Sequence, residues 1–290
     1  MIVVAENAVR SRGGGPGGAA AAEARRFQIP GVTRVIDPST EYRKASWTSR
    51  GEPTVVELPN GTRIGGREIV VMAGPAEPGD LLAAAHRLRA AGAAVLHAGT
   101  FRPHRSPYAQ RDGEAGTPRA LSRVREETGM AVVAEVLDLE SARLLAGHVD
   151  VLQVSAANMQ NFPLLSGVAR LGKPVLLVRG PSATLTELLM SAEYVLAAGN
   201  DDAILCEGGV WGLPPEGRTL LDLTAVPVLK SLTHLPVVVA PGATAEMACA
   251  AVAAGADGLV LESAGCAADA LDRALERARR VAPAMGRRLA

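Results

Sequence analysis

Three cysteines in 290 residues, Cys206, Cys249 and Cys266, are too few and too scattered for a disulfide scaffold, and none stands in a CxxC or zinc-ligand spacing. An odd, sparse set of this kind fits a reducing cytoplasm. Net charge is missing as well. Lys and Arg number 30 against 30 Asp and Glu, so no overall field draws the chain to nucleic acid or to an anionic membrane. No charge-free apolar run reaches bilayer length, and the opening MIVVAENAVR has neither a basic start nor a sustained apolar stretch, which argues against a leader peptide. These absences describe a cytoplasmic protein with no membrane or nucleic-acid partner.

What is present is apolar and periodic. At 48% hydrophobic, the chain can bury the core of one large α/β domain with a small appendage. Residues 149–180, VDVLQVSAANMQNFPLLSGVARLGKPVLLVRG, form the pattern's unit: an apolar strand, a loop, a helix opening at Asn161 and Phe162, a stop at Gly172, and a second apolar strand. Neither strand alternates polar with apolar, as a strand covered on one face would, so both belong in a parallel sheet buried on two faces. The unit recurs. Strands are expected at 68–74, 94–101, 131–137, 149–156, 174–180, 202–209, 235–242 and 257–263, with helical spacing between them. Gly92, Gly129, Gly172, Gly199 and Gly255 fall where those helices should stop. Eight such repeats predict an α/β fold, a (β/α)₈ TIM barrel. An open doubly wound sheet is the alternative, but AGPAEPGD after the first strand is not its glycine fingerprint.

Ahead of the barrel, 1–28 reads as a short strand and a Gly/Ala-rich linker, and 29–67 as an extension ending in a hairpin that turns at Asn60-Gly61. The hairpin is placed to cap one end of the 68–290 barrel.

In such barrels the chemistry sits at the carboxyl ends of the strands. Those ends carry His97, Glu135, Gln153, Asn158, Arg179, Glu207 and Glu262, and the loop FRPHRSPYAQ adds Arg102, His104 and Arg105. Buried strands have little reason to end in such groups unless they pair with one another or with a ligand. Arg clusters favour phosphate or carboxylate. His97 reads as a general base, a ligand partner or a satisfied core histidine; Glu135 and Glu262 read as acid and base or as a weak metal pair. Cys206 reads as a buried, inert thiol.

Several segments together resemble one family: AGP at 73–75, FRPHRSPY at 101–108, DVLQVSAANMQNF at 150–162, KPVLLVRG at 173–180, ILCEGG at 204–209 and AAGADGLVLE at 253–262. They are similar to the type I 3-deoxy-D-arabino-heptulosonate 7-phosphate (DAHP) synthases, over about 29–290. The resemblance implies a (β/α)₈ barrel that condenses phosphoenolpyruvate with erythrose 4-phosphate on a divalent metal. It also implies a metal set of cysteine, histidine, glutamate and aspartate. In this chain the first two positions are Ala76 and Ala243, only Glu262 matches, and Asp269 and Asp272 are poor stand-ins for the fourth. The phosphoenolpyruvate positions are His97, Ala157, Val178 and Gly208, each without a charge-assisted contact of roughly 1.5–3 kcal/mol. Arg102, His104 and Arg105 stand where the aldose-phosphate motif falls.

The expectation is therefore a repurposed, metal-independent enzyme of small-molecule metabolism that needs no cofactor. His97, Glu135 and Glu262 would be its catalytic groups. Arg102, His104, Arg105, Gln153, Asn158, Arg179 and Glu207 would bind a small, possibly anionic substrate. A non-catalytic homologue that binds a pathway enzyme is the alternative, and the parent synthase reaction a third reading. The family resemblance implies a homo-oligomer.

Overall fold

A computed structural model describes residues 2–5, 8–11, 32–36, 41–75, 80–99, 118–212, 219–242, 244–262 and 268–290; for 2–5, 8–11, 32–36, 219, 262 and 268–270 it describes the backbone alone. The first three strands, β1 (Ile2–Ala5), β2 (Ala8–Ser11) and β3 (Val32–Ile36), form an antiparallel sheet in the order β2-β1-β3. The sheet draws on residues from both sides of position 28. After helix α1 (Trp47–Arg50), strands β4 (Val56–Glu57) and β5 (Arg63–Ile64) pair as a hairpin. Its turn runs through Asn60 and Gly61. Asn60 Nδ2 donates to the carbonyls of Ala94 (3.2 Å) and Gly129 (3.4 Å), which precede two barrel strands.

The barrel strands are β6 (Glu68–Gly74), β7 (Val95–Ala98), β8 (Ala131–Val136), β9 (Val151–Val154), β10 (Val175–Val178) and β11 (Ala203–Glu207). A side hairpin follows, β12 (Val210–Trp211) with β13 (Thr219–Leu220), and the ring is completed by β14 (Val237–Val239) and β15 (Gly258–Glu262). All eight are parallel neighbours, and β15 pairs with β6 from Gly258↔Val70 to Glu262↔Gly74, which closes the barrel. At this seam a Cβ on Gly258 would lie 2.8 Å from the Val70 carbonyl oxygen, so the last strand needs glycine to approach the first. The helices are α2 (Leu81–Ala91), α3 (Pro118–Thr128), α4 (Leu139–Leu145), α5 (Phe162–Ala169), α6 (Leu185–Ala197), α7 (Ala225–Leu232), α8 (Ala245–Ala253) and α9 (Ala268–Val281). β16 (Arg288–Leu289) adds to the start of β6.

Two apolar layers explain the unbroken hydrophobic strands. Val132, Ala134 and Val136 of β8 face the helices, while Ala131 and Val133 face the barrel axis. Val56, Leu58 and Ile64 of the hairpin join the axial cluster, and the hairpin covers the amino-terminal end of the barrel. Helix starts follow local chemistry: Asn161 accepts from the Leu164 amide at 3.3 Å, and Thr184 and Glu187 cap α6 reciprocally. Gly92 ends α2 at φ 106°, a conformation L side chains rarely adopt. Most strands are shorter than the expected spans: β9 stops at Val154, ahead of the 3₁₀ turn Ala156–Asn158, β10 keeps Val175–Val178, β14 only Val237–Val239, and β7 is described over Val95–Ala98.

Candidate functional site at the carboxyl end of the barrel

The inside of the barrel changes character towards its carboxyl end. With a side-chain period of two, the axial residues Val95, Val133 and Val151 are followed by His97, Glu135 and Gln153. All three are buried. Glu135 is level with Gln153 across the β8–β9 ladder, and His97 is level with Val133 across β7–β8. His97 Nε2 stands 2.5 Å from Gln153 Oε1. A neutral imidazole carries one donor nitrogen, so with the amide oxygen accepting, hydrogen is assigned to Nε2 and the lone pair to Nδ1. Three of the residues expected at the site are therefore brought together on adjacent strands. Glu262 ends β15 level with Gly74. Asn158, half-buried in the 3₁₀ turn, donates weakly to the Leu137 carbonyl (3.4 Å) and ties the loops after β8 and β9.

Arg179 and Glu207 lie elsewhere. Each sits one residue past an axial side chain, Val178 and Cys206, so each turns to the outer face; Glu207 is level with Val239, which packs against the helices. There Arg179 Nη1 donates to Glu207 Oε2 at 2.8 Å and to Asp222 Oδ2 at 3.1 Å, and its Nε donates to the Ala183 carbonyl at 2.9 Å. Glu207 Oε1 accepts the Gly209 amide at 2.7 Å. Burial works against the Arg179 charge, but the hydrogen bonds and charges of Glu207 and Asp222 outweigh it and raise its pKa. The Asp222 carboxyl is held below the usual aspartate range, first by the Thr224 hydroxyl at 2.5 Å and then by Arg179. The arrangement binds two strand ends to the loop that starts α7, rather than facing the barrel axis.

Arg102, His104 and Arg105 lie outside the described residues, as do Ala76 and Ala243. Among the described residues no three His, Cys, Asp or Glu side chains gather as a metal site. One inward residue escaped the sequence reading: Ser155, two positions after Gln153. The period-two alternation through Val151 and Gln153 was the signal that could have found it.

Comparison with known proteins bears on the fold and the family. A curated relative from Thermotoga maritima, phospho-2-dehydro-3-deoxyheptonate aldolase, is 36% identical over 245 residues, 81% of this chain and 71% of the relative. A 2-dehydro-3-deoxyphosphooctonate aldolase from Acidithiobacillus ferrooxidans is 34% identical over 170 residues, 53% of this chain and 60% of its own. The crystal structure of the Thermotoga maritima DAHP synthase superposes with a TM-score of 0.81 at 32% identity, covering 92% of this chain and 85% of that one. A truncated form of that enzyme gives 0.76 at 29% identity, with 86% and 100% covered. The sequence model of the DAHP synthetase I family matches residues 53–272, which takes in the hairpin and all eight barrel strands, and so the chain belongs to the DAHP synthetase I family.

Proposed function

We propose that this DAHP synthase-like barrel is a repurposed enzyme of small-molecule, secondary metabolism. Its carboxyl-end mouth would carry out metal-independent proton transfer of the aldol, dehydration or cyclisation type. The observation that carries the reading is the His97–Gln153 contact of 2.5 Å, with Glu135 level with Gln153, on the inner face of three consecutive strands. A glutamine oxygen that holds the Nε2 proton leaves Nδ1 as the basic nitrogen, the form a general base needs near neutral pH. Glu135 would be a second proton-transfer group and Glu262 a third. Gln153 and Asn158, with Arg102, His104 and Arg105, would bind a small, possibly anionic substrate. The geometry of Arg179 and Glu207 favours a supporting role over substrate contact.

The divalent metal implied by the family does not fit the donor set. Alanines at 76 and 243 carry no donor atoms, and one carboxylate from Glu262 cannot fix a catalytic ion, for which at least three protein ligands are usual.

The test incubates the purified chain with phosphoenolpyruvate, erythrose 4-phosphate and Mn²⁺ and follows the enolpyruvate absorbance beside an active synthase. The expected result is no consumption. Consumption abolished by a chelator would instead assign the parent reaction, whose product the Thermotoga maritima relative's name describes.

A second reading, a non-catalytic homologue that binds a pathway enzyme, is favoured by Trp211 and Leu220, which are 56% and 59% exposed on the β12–β13 hairpin. Co-sedimentation with an active family member, lost in Trp211→Ala, would support it. The homo-oligomer expected from the family is read in the same run.

A further inference from the structure

The strand that supplies Gln153 ends in a hydroxyl that the architecture leaves unused. Ser155 stands at the N-cap of the 3₁₀ turn Ala156–Asn158, where a serine oxygen ordinarily accepts an amide N–H, and it makes no such bond. Its Oγ is buried and has no hydrogen-bond partner among the described residues. Buried hydroxyls are nearly always bonded, because withdrawal from water without a new partner is costly. The backbone at Ser155 is extended, with φ −71° and ψ 166°, so the alternation that turns Val151 and Gln153 inward carries its side chain to the same face, above Gln153.

A second observation concerns the rest of the ring. Among the residues whose side chains are described, the polar inward groups come from three consecutive strands: His97 on β7, Glu135 on β8, then Gln153 and Ser155 on and after β9. Over β10, β11 and β14 the described inward groups are apolar. Val178 and Ala240 are half-buried against the axial cluster that includes Cys206, and Gly208 exposes no side chain; a Cβ there would lie 3.3 Å from Val178 Cγ1. A highly charged phosphate beside Val178 and Ala240 would lose hydration without compensation. An uncharged carbonyl oxygen under Ser155, with an apolar remainder on the far side, satisfies both halves.

Building on the reading of the mouth as the functional site, we infer that it takes a small carbonyl compound with an apolar substituent. The carbonyl oxygen accepts the Ser155 O–H, and the substituent lies against Val178, Gly208 and Ala240. Ser155 is thus a substrate-binding residue, and the β10–β11–β14 wall sets specificity.

The experiment titrates the full-length chain by calorimetry with phenylpyruvate, pyruvate and phosphoenolpyruvate, in wild type, Ser155→Ala and Gly208→Val. Phenylpyruvate should bind at least about ten-fold more tightly than pyruvate, since only it has a ring to bury. Ser155→Ala should weaken phenylpyruvate about ten-fold while the ligand-free melting temperature stays level or rises, because an unbonded buried hydroxyl is removed. Gly208→Val should weaken phenylpyruvate and leave pyruvate unchanged. Equal binding of the two oxo acids, an unchanged affinity in Ser155→Ala, or a lower ligand-free melting temperature in that variant overturns the inference. If phosphoenolpyruvate alone binds, the inference falls and the mouth remains the site; if none of the three binds, both readings fall.

Discussion

Asp222 shows how much of this barrel's electrostatics lies off the axis. Its carboxyl takes the Thr224 hydroxyl, the Ala225 amide and Arg179, and these hold its folded-state pKa below the unfolded value. A depressed carboxyl pKa contributes stability that is fully present above the unfolded pKa and is lost as pH falls through the folded one. Melting temperature should therefore fall as pH drops below about 4. In Asp222→Asn that acid-side slope should be shallower, with a lower plateau near neutral pH. A thermal melt series from pH 7 to pH 2.5 checks both. An identical slope in the variant would remove Asp222 from the account.

The same residue belongs to a device that acts between elements. Arg179 is 7% and Glu207 0% exposed at the side chain, so the pair is sealed between the strands β10 and β11 and the loop before α7. Removing Glu207 leaves Arg179 its pairing with Asp222 but takes away its buried partner. Glu207→Ala is expected to cost about 1.5–3 kcal/mol in urea unfolding, the scale of a hydrogen bond to a charged group, whereas Arg179→Met with Glu207→Leu should recover most of it. Near-neutral behaviour of the single variant would mean that water reaches Arg179. A related device recurs at the other end of the barrel. Asp150 accepts the Val132 amide (2.9 Å) and pairs with Arg125, while Asp257 accepts the Val237 amide (2.9 Å) and pairs with Lys230. In each case a carboxylate just before one strand bonds the amide at or beside the start of the preceding one, which sets the register of the parallel ladder.

At the scale of the whole molecule, the vulnerable place is the seam where the chain's last barrel strand meets its first. Arg287 spans it, donating to the carbonyls of Gly66 (3.1 Å), Glu68 (3.2 Å) and Ala256 (2.8 Å) and pairing with Asp257 (3.2 Å). Arg287→Ala should lower the unfolding free energy by about 2–3 kcal/mol. Hydrogen exchange should open first at β15 and β6; uniform acceleration around the ring would argue against a local clamp. Among the described residues no helix is long and apolar enough to cross a membrane.

The sequence by itself determined the barrel. Eight apolar runs separated by helix-length segments with glycine stops require strands covered on both faces, and a hairpin rich in Val, Leu and Ile just ahead of them can bury itself only at a barrel end. It also marked His97, Glu135 and Gln153, because polar groups closing buried runs need partners. Which residues would face the axis was decided only by the tertiary structure. A strand's period of two shows that Val178 and Arg179 point opposite ways, as do Cys206 and Glu207, but not which way is inward. With apolar material on both sides of every strand, local hydrophobicity is equal for either choice. Closing β15 onto β6 settles the parity for the whole ring at once: Arg179 and Glu207 go to the helix layer, and the inward parity of Gln153 passes on to Ser155.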